Sequence, residues 1–251
     1  MAEILTILEN QILSISFNRP EKMNALTRAM YGQLAEELKS ADQEFGIRAV
    51  ILTSEGSHFT AGNDITDFLE HPPTSEDSTV AAFLSAIHNF TKPLLAAVKG
   101  NAIGVGTTLL LHCDLVVAAE EAKFALPFTS LGLVPEAGSS FLLPRLVGYQ
   151  RAAELFLIGD NFDAEYAHQI GLVNYVANDP YEKARELALK IAAQPPQAVI
   201  NTKALMKAQV HDSVAAVMKA EFEIFAMALQ SDEARSAFIN FMNRKNQKKG
   251  E

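Results

Sequence analysis

Two glycine-rich turns, each following a run of apolar residues, carry the clearest chemical signal in this chain. One occupies residues 100–108 and leads from a strand-like run into a helical one, and the other occupies residues 55–64 after an apolar run. A turn of this kind brings free backbone N–H groups to the start of a helix, where they can bind an anion or a developing oxyanion. The same small residues also let a helix pack closely against a strand. From the turns alone, both interpretations stay open.

Composition excludes several classes of function. The 251 residues are 49% hydrophobic, enough for a packed core in one large domain or two small ones. A net charge of −9 argues against nucleic acid or an anionic membrane as the main partner, because both rely on a basic surface. Cys113 is the single cysteine, so that a disulfide framework or a cysteine metal site is excluded and a reducing compartment is favoured.

The apolar segments do not have the pattern of a membrane protein or a signal peptide. Glu3 and Glu9 interrupt the first apolar run. The most apolar segment, around residues 102–111, is too short to span a bilayer, which takes ~20 apolar residues. We therefore expect a soluble, cytoplasmic protein that does not act at a membrane or on nucleic acid.

Strand patterns alternate with helix patterns in the first half of the chain, and helix patterns dominate the second half. We predict strands at residues 3–9, 11–17, 48–53, 114–119 and 172–176, with a further strand ending at Lys99. We predict helices at residues 27–45, 80–90, 139–147, 149–157, 164–170, 179–193, 196–207 and 211–243, with Thr27 and Asp64 as N-caps. This order indicates an α/β fold with a helical C-terminal part.

Motifs for several common chemistries are absent. Gly104 and Gly106 lack the third glycine of a dinucleotide-binding turn. The chain has neither a phosphate-binding loop with Gly-Lys-Ser/Thr nor a Gly-x-Ser-x-Gly nucleophile turn, and its histidines lack helical metal-ligand spacing. We expect no metal site.

Four segments together resemble the crotonase superfamily, also called the enoyl-CoA hydratase/isomerase family. They are residues 18–26, 59–64, 100–108 with the following 113–114, and 131–136. The resemblance extends over nearly the whole chain, and its pattern is closest to the 3,2-enoyl-CoA isomerases. It implies a crotonase-like spiral of ββα units with an acyl-CoA site in residues 1–194, and a C-terminal helical trimerisation region in residues 195–251. A homotrimer or hexamer is therefore expected, and the long apolar pattern at 211–243 favours packing against neighbours.

The resemblance also implies a site for the thioester of coenzyme A, which is the substrate and not a cofactor; no cofactor is expected. Its carbonyl oxygen would lie between the backbone N–H groups of Asn63 and Val105, which stabilise an enolate as its charge develops. The residues implied to contact coenzyme A are Met23, Ala25, Ala61, Asp64 and Ile65. Arg19 and Lys22 are either phosphate ligands or ordinary surface charges.

Glu136 is the candidate base. Hydratases of this family use two glutamates on one water, but the matching residues here are Thr108 and Phe128, which cannot exchange a proton usefully at neutral pH. Glu136 instead resembles the single catalytic glutamate of the isomerases, and its apolar neighbours should raise its pKa. Alternatively, Glu136 only opens the helix that starts near Ser139.

The implied reaction converts a 3-enoyl-CoA into a 2-enoyl-CoA through a dienolate, in fatty-acid β-oxidation. Two alternatives stay open. One is enoyl-CoA hydration or another thioester reaction of the superfamily, and the other is a non-catalytic acyl-CoA-binding protein.

Overall fold

The computed structural model describes residues 2–73, 75 and 77–247, with the backbone alone for residues 241–247. Within those residues the chain forms nine strands and eleven α-helices. The strands are β1 (Ile4–Glu9), β2 (Ile12–Phe17), β3 (Ala49–Ser54), β4 (Leu94–Val98), β5 (Asn101–Ile103), β6 (Leu115–Ala118), β7 (Lys123–Ala125), β8 (Phe162–Asp163) and β9 (Tyr175–Val176).

The helices surround these strands and make up most of the second half. They are α1 (Arg28–Gln43), α2 (Ile65–Glu70), α3 (Thr79–Asn89), α4 (Val105–Thr108), α5 (Ser139–Val147), α6 (Tyr149–Leu157), α7 (Ala164–Gln169), α8 (Pro180–Ala192), α9 (Pro196–Ala208), α10 (His211–Leu229) and α11 (Asp232–Gln247). None of the helices in the described residues is long and apolar enough to cross a membrane.

A six-stranded sheet forms the centre, in the order β1-β2-β3-β4-β6-β9. Only the β1/β2 pair is antiparallel; the other pairs are parallel. Residues of β2, β3 and β4 are buried throughout, which explains why the sequence of β3 is continuously apolar instead of alternating. This sheet supports the segments that leave its strand ends.

A second sheet has three strands, in the order β5-β7-β8. The chain runs from β4 in the large sheet to β5 in the small sheet and then into α4. It repeats this step from β6 to β7, and β3 is followed by an isolated bridge at Thr60 to β5 and then by α2. Each repeat is a strand, a short strand and a helix, and together they form a spiral of ββα units.

Most predicted elements are confirmed, including both N-caps. The Thr27 hydroxyl accepts a hydrogen bond from the Met30 N–H, and the Asp64 carboxylate accepts from the N–H groups of Thr66 and Asp67. Strands β5, β7 and β8 were missed because they have only two or three residues, too few to show a periodicity.

The prediction of one helix over residues 211–243 is wrong. The structure breaks it after Leu229, and α11 starts at Asp232 with the Ser231 hydroxyl accepting from the Ala234 N–H at 3.1 Å. Residues 230–233 are Gln-Ser-Asp-Glu, a run without apolar residues that contains a capping serine, so the sequence carried a local signal for this break.

Helix α9 is attached to the core through a buried lysine. The side chain of Lys203 is 5% exposed, and its Nζ donates to the Lys92 carbonyl and to Asp114 Oδ2, both at 2.7 Å. Asp114 also accepts from the Leu94 N–H at 2.7 Å. One cation therefore joins α9 to the loops before β4 and β6.

We predict that Lys203→Met lowers the free energy of unfolding by about 2–4 kcal/mol, because it leaves a partly buried carboxylate without its cation. Urea unfolding followed by circular dichroism would measure the loss. Lys190→Met is the matched control, since Lys190 is exposed and pairs with Glu186 on the surface of α8, so its loss should leave the free energy of unfolding almost unchanged. Equal losses in the two variants would contradict the prediction.

Candidate active site

The two glycine-rich turns lie side by side in parallel register. Thr60 pairs with Ala102: the Thr60 N–H donates to the Asn101 carbonyl at 2.9 Å, and the Ile103 N–H donates to the Thr60 carbonyl at 3.0 Å. Asn63 and Val105 each lie three residues beyond this pair. The N–H groups of Asn63 and Val105 donate to no acceptor among the described residues. Each of the two adjacent segments thus has one unused backbone donor, at an equivalent position after the bridge.

Glycine is needed where these segments approach each other. Gly62 has a φ of +84°, and a Cβ there would lie 2.8 Å from the Ile103 carbonyl oxygen. A Cβ at Gly106 would lie 2.5 Å from the Thr60 side chain. The glycines therefore serve close packing, and this packing leaves the Asn63 and Val105 N–H groups unengaged. The two interpretations that the sequence left open are compatible.

Asn24 connects the segment of residues 18–26 to the glycine-rich turn of residues 55–64. It is fully buried with a φ of +54°, which Asn tolerates better than most residues. Its Nδ2 donates to the carbonyls of Glu55 and His58 at 2.8 and 2.7 Å, and its Oδ1 accepts from the Arg19 N–H at 2.7 Å. Asn24 lies within the family-like segment of residues 18–26, but the sequence of that segment does not indicate this role.

The residues implied to contact coenzyme A are brought together. The Ala61 N–H donates to the Met23 carbonyl at 2.9 Å, and Ile65 begins α2 directly after Asp64. Arg19 Nη1 donates to the Ala25 carbonyl at 3.0 Å and to Asp64 Oδ2 at 2.6 Å.

The two candidate phosphate ligands differ in their surroundings. Arg19 pairs with Asp64 and also with Glu3, at 3.3 Å. Because two carboxylates neutralise its charge, these contacts favour a structural role for Arg19 over the binding of a phosphate. Although desolvation raises it, hydrogen bonds from Arg19 and from backbone N–H groups leave the pKa of Asp64 lower than usual. Lys22 is exposed.

A cavity of about 350 Å³ opens beside the turns. Its polar lining includes Asn63, Tyr31 and Glu136, whereas Val105 is not part of its lining. Most of the wall is apolar and comes from α2, α3 and α10, with the residues Phe68, Val80, Ala81, Leu84, Ala215, Met218, Phe222 and Phe225. Glu136 is the only carboxylate in the lining among the residues that the structure describes.

Glu136 is 9% exposed, and the Thr108 hydroxyl donates a hydrogen bond to its Oε1. Burial raises the pKa of Glu136 to about 8; the hydrogen bond from Thr108 lowers it, and the nearby carboxyl of Glu221 raises it further. A carboxylate of this kind is a better proton acceptor than an exposed one, and its pKa is close to neutral pH.

The turn after Glu136 has an unusual backbone. Ala137 and Gly138 both have positive φ, of 62° and 70°. His112 Nε2 lies 2.7 Å from the Ala137 carbonyl, and burial lowers the pKa of His112 to about 3, so that the neutral ring donates this hydrogen bond. The N–H groups of Gly138 and Ser140 donate to the carboxylate of Glu221 at 2.6 and 2.9 Å.

These contacts bear on the alternative role for Glu136. A helix-opening residue would accept from the first N–H groups of α5, but Glu221 accepts those hydrogen bonds. The Glu136 side chain instead faces the cavity and Thr108.

The two positions where hydratases carry glutamates hold no proton carrier. Thr108 is fully buried against Glu136. Phe128 is 6% exposed and packs against Phe156 with a ring-centroid distance of 6.4 Å.

Tyr31 was missed by the sequence analysis. It is 1% exposed, lines the cavity, and donates from its hydroxyl to Asn63 Oδ1 at 2.5 Å. Burial, and to a lesser degree the charge of Glu136, raise the pKa of Tyr31, so it remains a donor at neutral pH. The other buried residues of α1 belong to the core. Only the three-dimensional structure shows that Tyr31 differs from them in lining the cavity.

Known proteins similar to this chain include both hydratases and isomerases. The sequence model of the family described as enoyl-CoA hydratase/isomerase matches residues 8–250. OdaA from Pseudomonas aeruginosa has a solved structure that is 44% identical, with a TM-score of 0.94 over 96% of this chain and 99% of that chain.

Two curated relatives represent the two kinds of reaction. Enoyl-CoA delta isomerase 2 of Homo sapiens is 33% identical over 94% of this chain and 62% of that protein. The 2,3-dehydroadipyl-CoA hydratase of Escherichia coli (strain K12) is 32% identical over 98% of this chain and 97% of that protein. The fold is the crotonase-like spiral with C-terminal helices, and the chain belongs to the enoyl-CoA hydratase/isomerase family.

Proposed function

We propose that this protein is an enoyl-CoA isomerase that converts 3-enoyl-CoA into 2-enoyl-CoA, with Glu136 as its base. The observation that carries the proposal is a buried carboxylate, the only one that the described residues contribute to the lining of a cavity that also reaches Asn63. A double-bond shift needs one proton carrier, whereas hydration uses two on one water. The similarity to a delta isomerase supports this choice.

The backbone N–H groups of Asn63 and Val105 form the proposed oxyanion hole. Both lack acceptors in the described part of the chain, so they are available to the thioester carbonyl oxygen. Removing a proton beside the thioester places negative charge on that oxygen, and preorganised N–H donors stabilise the charge as it develops. Tyr31, through Asn63 Oδ1, holds the side chain of one donor residue.

Glu136 carries the proton. Its carboxylate takes a proton from C2 of the 3-enoyl-CoA, and the electron pair moves into the dienolate. The carboxylic acid then returns that proton to C4, which leaves the double bond between C2 and C3. Because the same oxygen atoms take and return the proton, the reaction consumes no water.

The cavity fits an apolar acyl chain. Most of its wall is aliphatic or aromatic, which favours a fatty acyl group and a place in β-oxidation. Met23, Ala25, Ala61, Asp64 and Ile65 form the proposed coenzyme A contacts, with no cofactor required. The unpaired Cys113 fits a reducing, cytoplasmic location.

Hydration is the second candidate, because 2,3-dehydroadipyl-CoA hydratase is similar over nearly the full length of both chains. Incubation with 3-enoyl-CoA, followed by absorbance of the 2-enoyl product, separates the two reactions. Efficient hydration of 2-enoyl-CoA without isomerisation would refute the proposal. Coenzyme A binding without turnover would instead indicate a non-catalytic binding protein.

The proposed assembly is a homotrimer or hexamer. Large apolar side chains are exposed on α9 and α10, with Leu205 75%, Met206 69% and Met227 66% exposed. Packing against neighbouring chains would remove this apolar surface from water. We expect light scattering to give the mass of three or six chains, and a stable monomer would contradict this.

We predict that Glu136→Gln abolishes most isomerisation, because the amide keeps size and polarity but cannot accept the proton. The rate should fall by roughly 10²–10⁴-fold. Substrate affinity, measured by calorimetry, should change less than about threefold, since the amide preserves the cavity.

Glu154→Gln is the matched control, because Glu154 is an exposed glutamate on α6. Its activity should equal that of the wild type. If Glu136→Gln kept most of its activity, another group would carry the proton and the assignment of the base would fail.

The pH dependence of kcat/KM provides a separate prediction. Only the ionised form of Glu136 accepts a proton, so kcat/KM should fall as pH decreases through about 8. Thr108→Val removes a hydrogen bond that stabilises the ionised form, and should move this midpoint to higher pH. A wild-type midpoint near 4.5, the ordinary value for Glu, would contradict the assignment.

A further inference from the structure

We propose that Glu221 is a positioning residue for the base: its carboxylate, on α10, holds the turn that carries Glu136 and acts on Glu136 by its negative charge. The inference rests on the proposed function, in which Glu136 moves the proton. Glu221 itself does not line the cavity.

The carboxylate of Glu221 accepts three hydrogen bonds from Gly138 and Ser140, which lie more than 80 residues away in sequence. It is 6% exposed, and its Oε2 accepts from the Gly138 N–H at 2.6 Å. Its Oε1 accepts from the Ser140 N–H at 2.9 Å and lies 2.5 Å from Ser140 Oγ. Burial raises the pKa of Glu221, and the hydrogen bonds from Ser140 and Gly138 oppose this rise. Because each oxygen accepts a backbone N–H, the geometry fits the ionised carboxylate, which is an acceptor only.

The turn needs such a hold because of its backbone conformation. Ala137 and Gly138 are successive residues with positive φ, a region that L residues rarely adopt. His112 contacts the carbonyl of Ala137 on one side, and Glu221 accepts the N–H of Gly138 on the other. Glu136 directly precedes these two residues, so both contacts restrict where its side chain points.

The same helix also forms a wall of the cavity. Met218, Phe222 and Phe225 line it from α10, on either side of Glu221 in sequence. Glu221 thus joins the wall that contacts the acyl chain to the turn that carries the base.

Charge adds a second effect that a purely structural cap would not have. After burial, the carboxyl of Glu221 is the other cause that raises the pKa of Glu136. The other polar groups around the turn and cavity include Tyr31 from α1, His88 from α3, Thr108 from α4, His112, and Lys219 from α10. Burial lowers the pKa of His88 to about 4 and of His112 to about 3, so both are neutral near pH 8.

The experiment compares Glu221→Gln with Glu221→Asp in the full chain. Glu221→Gln removes the charge, and its amide N–H faces a backbone N–H, so kcat should fall about 10–100-fold while KM changes less than about threefold. The acid limb of kcat/KM should move to lower pH by about one unit. Glu221→Asp keeps the charge on a shorter side chain, so kcat should fall while the acid limb stays at the wild-type pH.

Glu223→Gln is the matched control, because Glu223 is an exposed glutamate on the same helix. It should leave kcat and the acid limb unchanged. The proposal is overturned if Glu221→Gln behaves like Glu223→Gln, or if Glu221→Gln and Glu221→Asp move the acid limb equally. If Glu221→Gln does not fold, Ser140→Ala removes one contact of the carboxylate, and an unchanged kcat in that variant would also overturn it.

A titration that needs no turnover separates this inference from the proposed function. The infrared carbonyl band of protonated Glu136 is identified as the band missing from Glu136→Gln, and its intensity is followed against pH. The midpoint should be lower in Glu221→Gln than in the wild type, and equal midpoints would overturn the role of the charge. An inactive wild type would refute the isomerase while leaving this comparison decisive.

Discussion

Burial of one carboxylate is the constraint around which the site is built. The pKa of Glu136 rises from 4.5 to about 8 in the folded protein. A carboxyl group with a raised pKa contributes its full stability below pH 4.5, and that stability is lost as pH rises toward 8. At pH 7 the loss is about 3 kcal/mol, since one pKa unit corresponds to ~1.4 kcal/mol. The fold must offset this cost, and it does so with the apolar packing of α1, α3 and α10 around the cavity. The hydrogen bond from Thr108 limits the cost without abolishing the basicity.

The second requirement of the site is a pair of N–H groups without acceptors, and backbone geometry supplies them. Parallel pairing of Thr60 with Ala102 holds the two segments together, and the N–H groups of Gly62 and Gly104 donate to Thr60 Oγ1 and to the Ala125 carbonyl. Beyond them, Asn63 and Val105 are left at the ends of the pairing. Because the donors belong to the backbone, side chains around them can change without loss of the proposed oxyanion hole. This explains how one fold accommodates relatives that are named for hydration and for isomerisation.

The sequence predicted the regular elements and the family well, and the long-range contacts poorly. Thr27 and Asp64 were recognisable as caps because capping depends on neighbours in sequence. Glu221 could not be recognised, since its partners lie more than 80 residues away and its own helix shows only an ordinary polar position. The break at Ser231 had a local signal, the polar run of residues 230–233, but the many apolar residues on either side of it favoured one long helix. Short strands such as β8 depend on pairing with β7 and have no local signal.

In the proposed isomerisation, a single base carries out proton transfer without addition of water. A base that has taken a proton becomes an acid of the same pKa, so a group near 8 can both accept and return the proton at neutral pH. Addition of water needs a second group to activate the water while the first protonates carbon. At the two positions where a hydratase carries its glutamates, Thr108 already donates to Glu136 and Phe128 packs in the core. The carboxylate of Glu221 cannot take that role, because both of its oxygens accept backbone N–H groups away from the cavity. In the proposed mechanism, the second carboxylate near the base therefore acts on the base and not on a water.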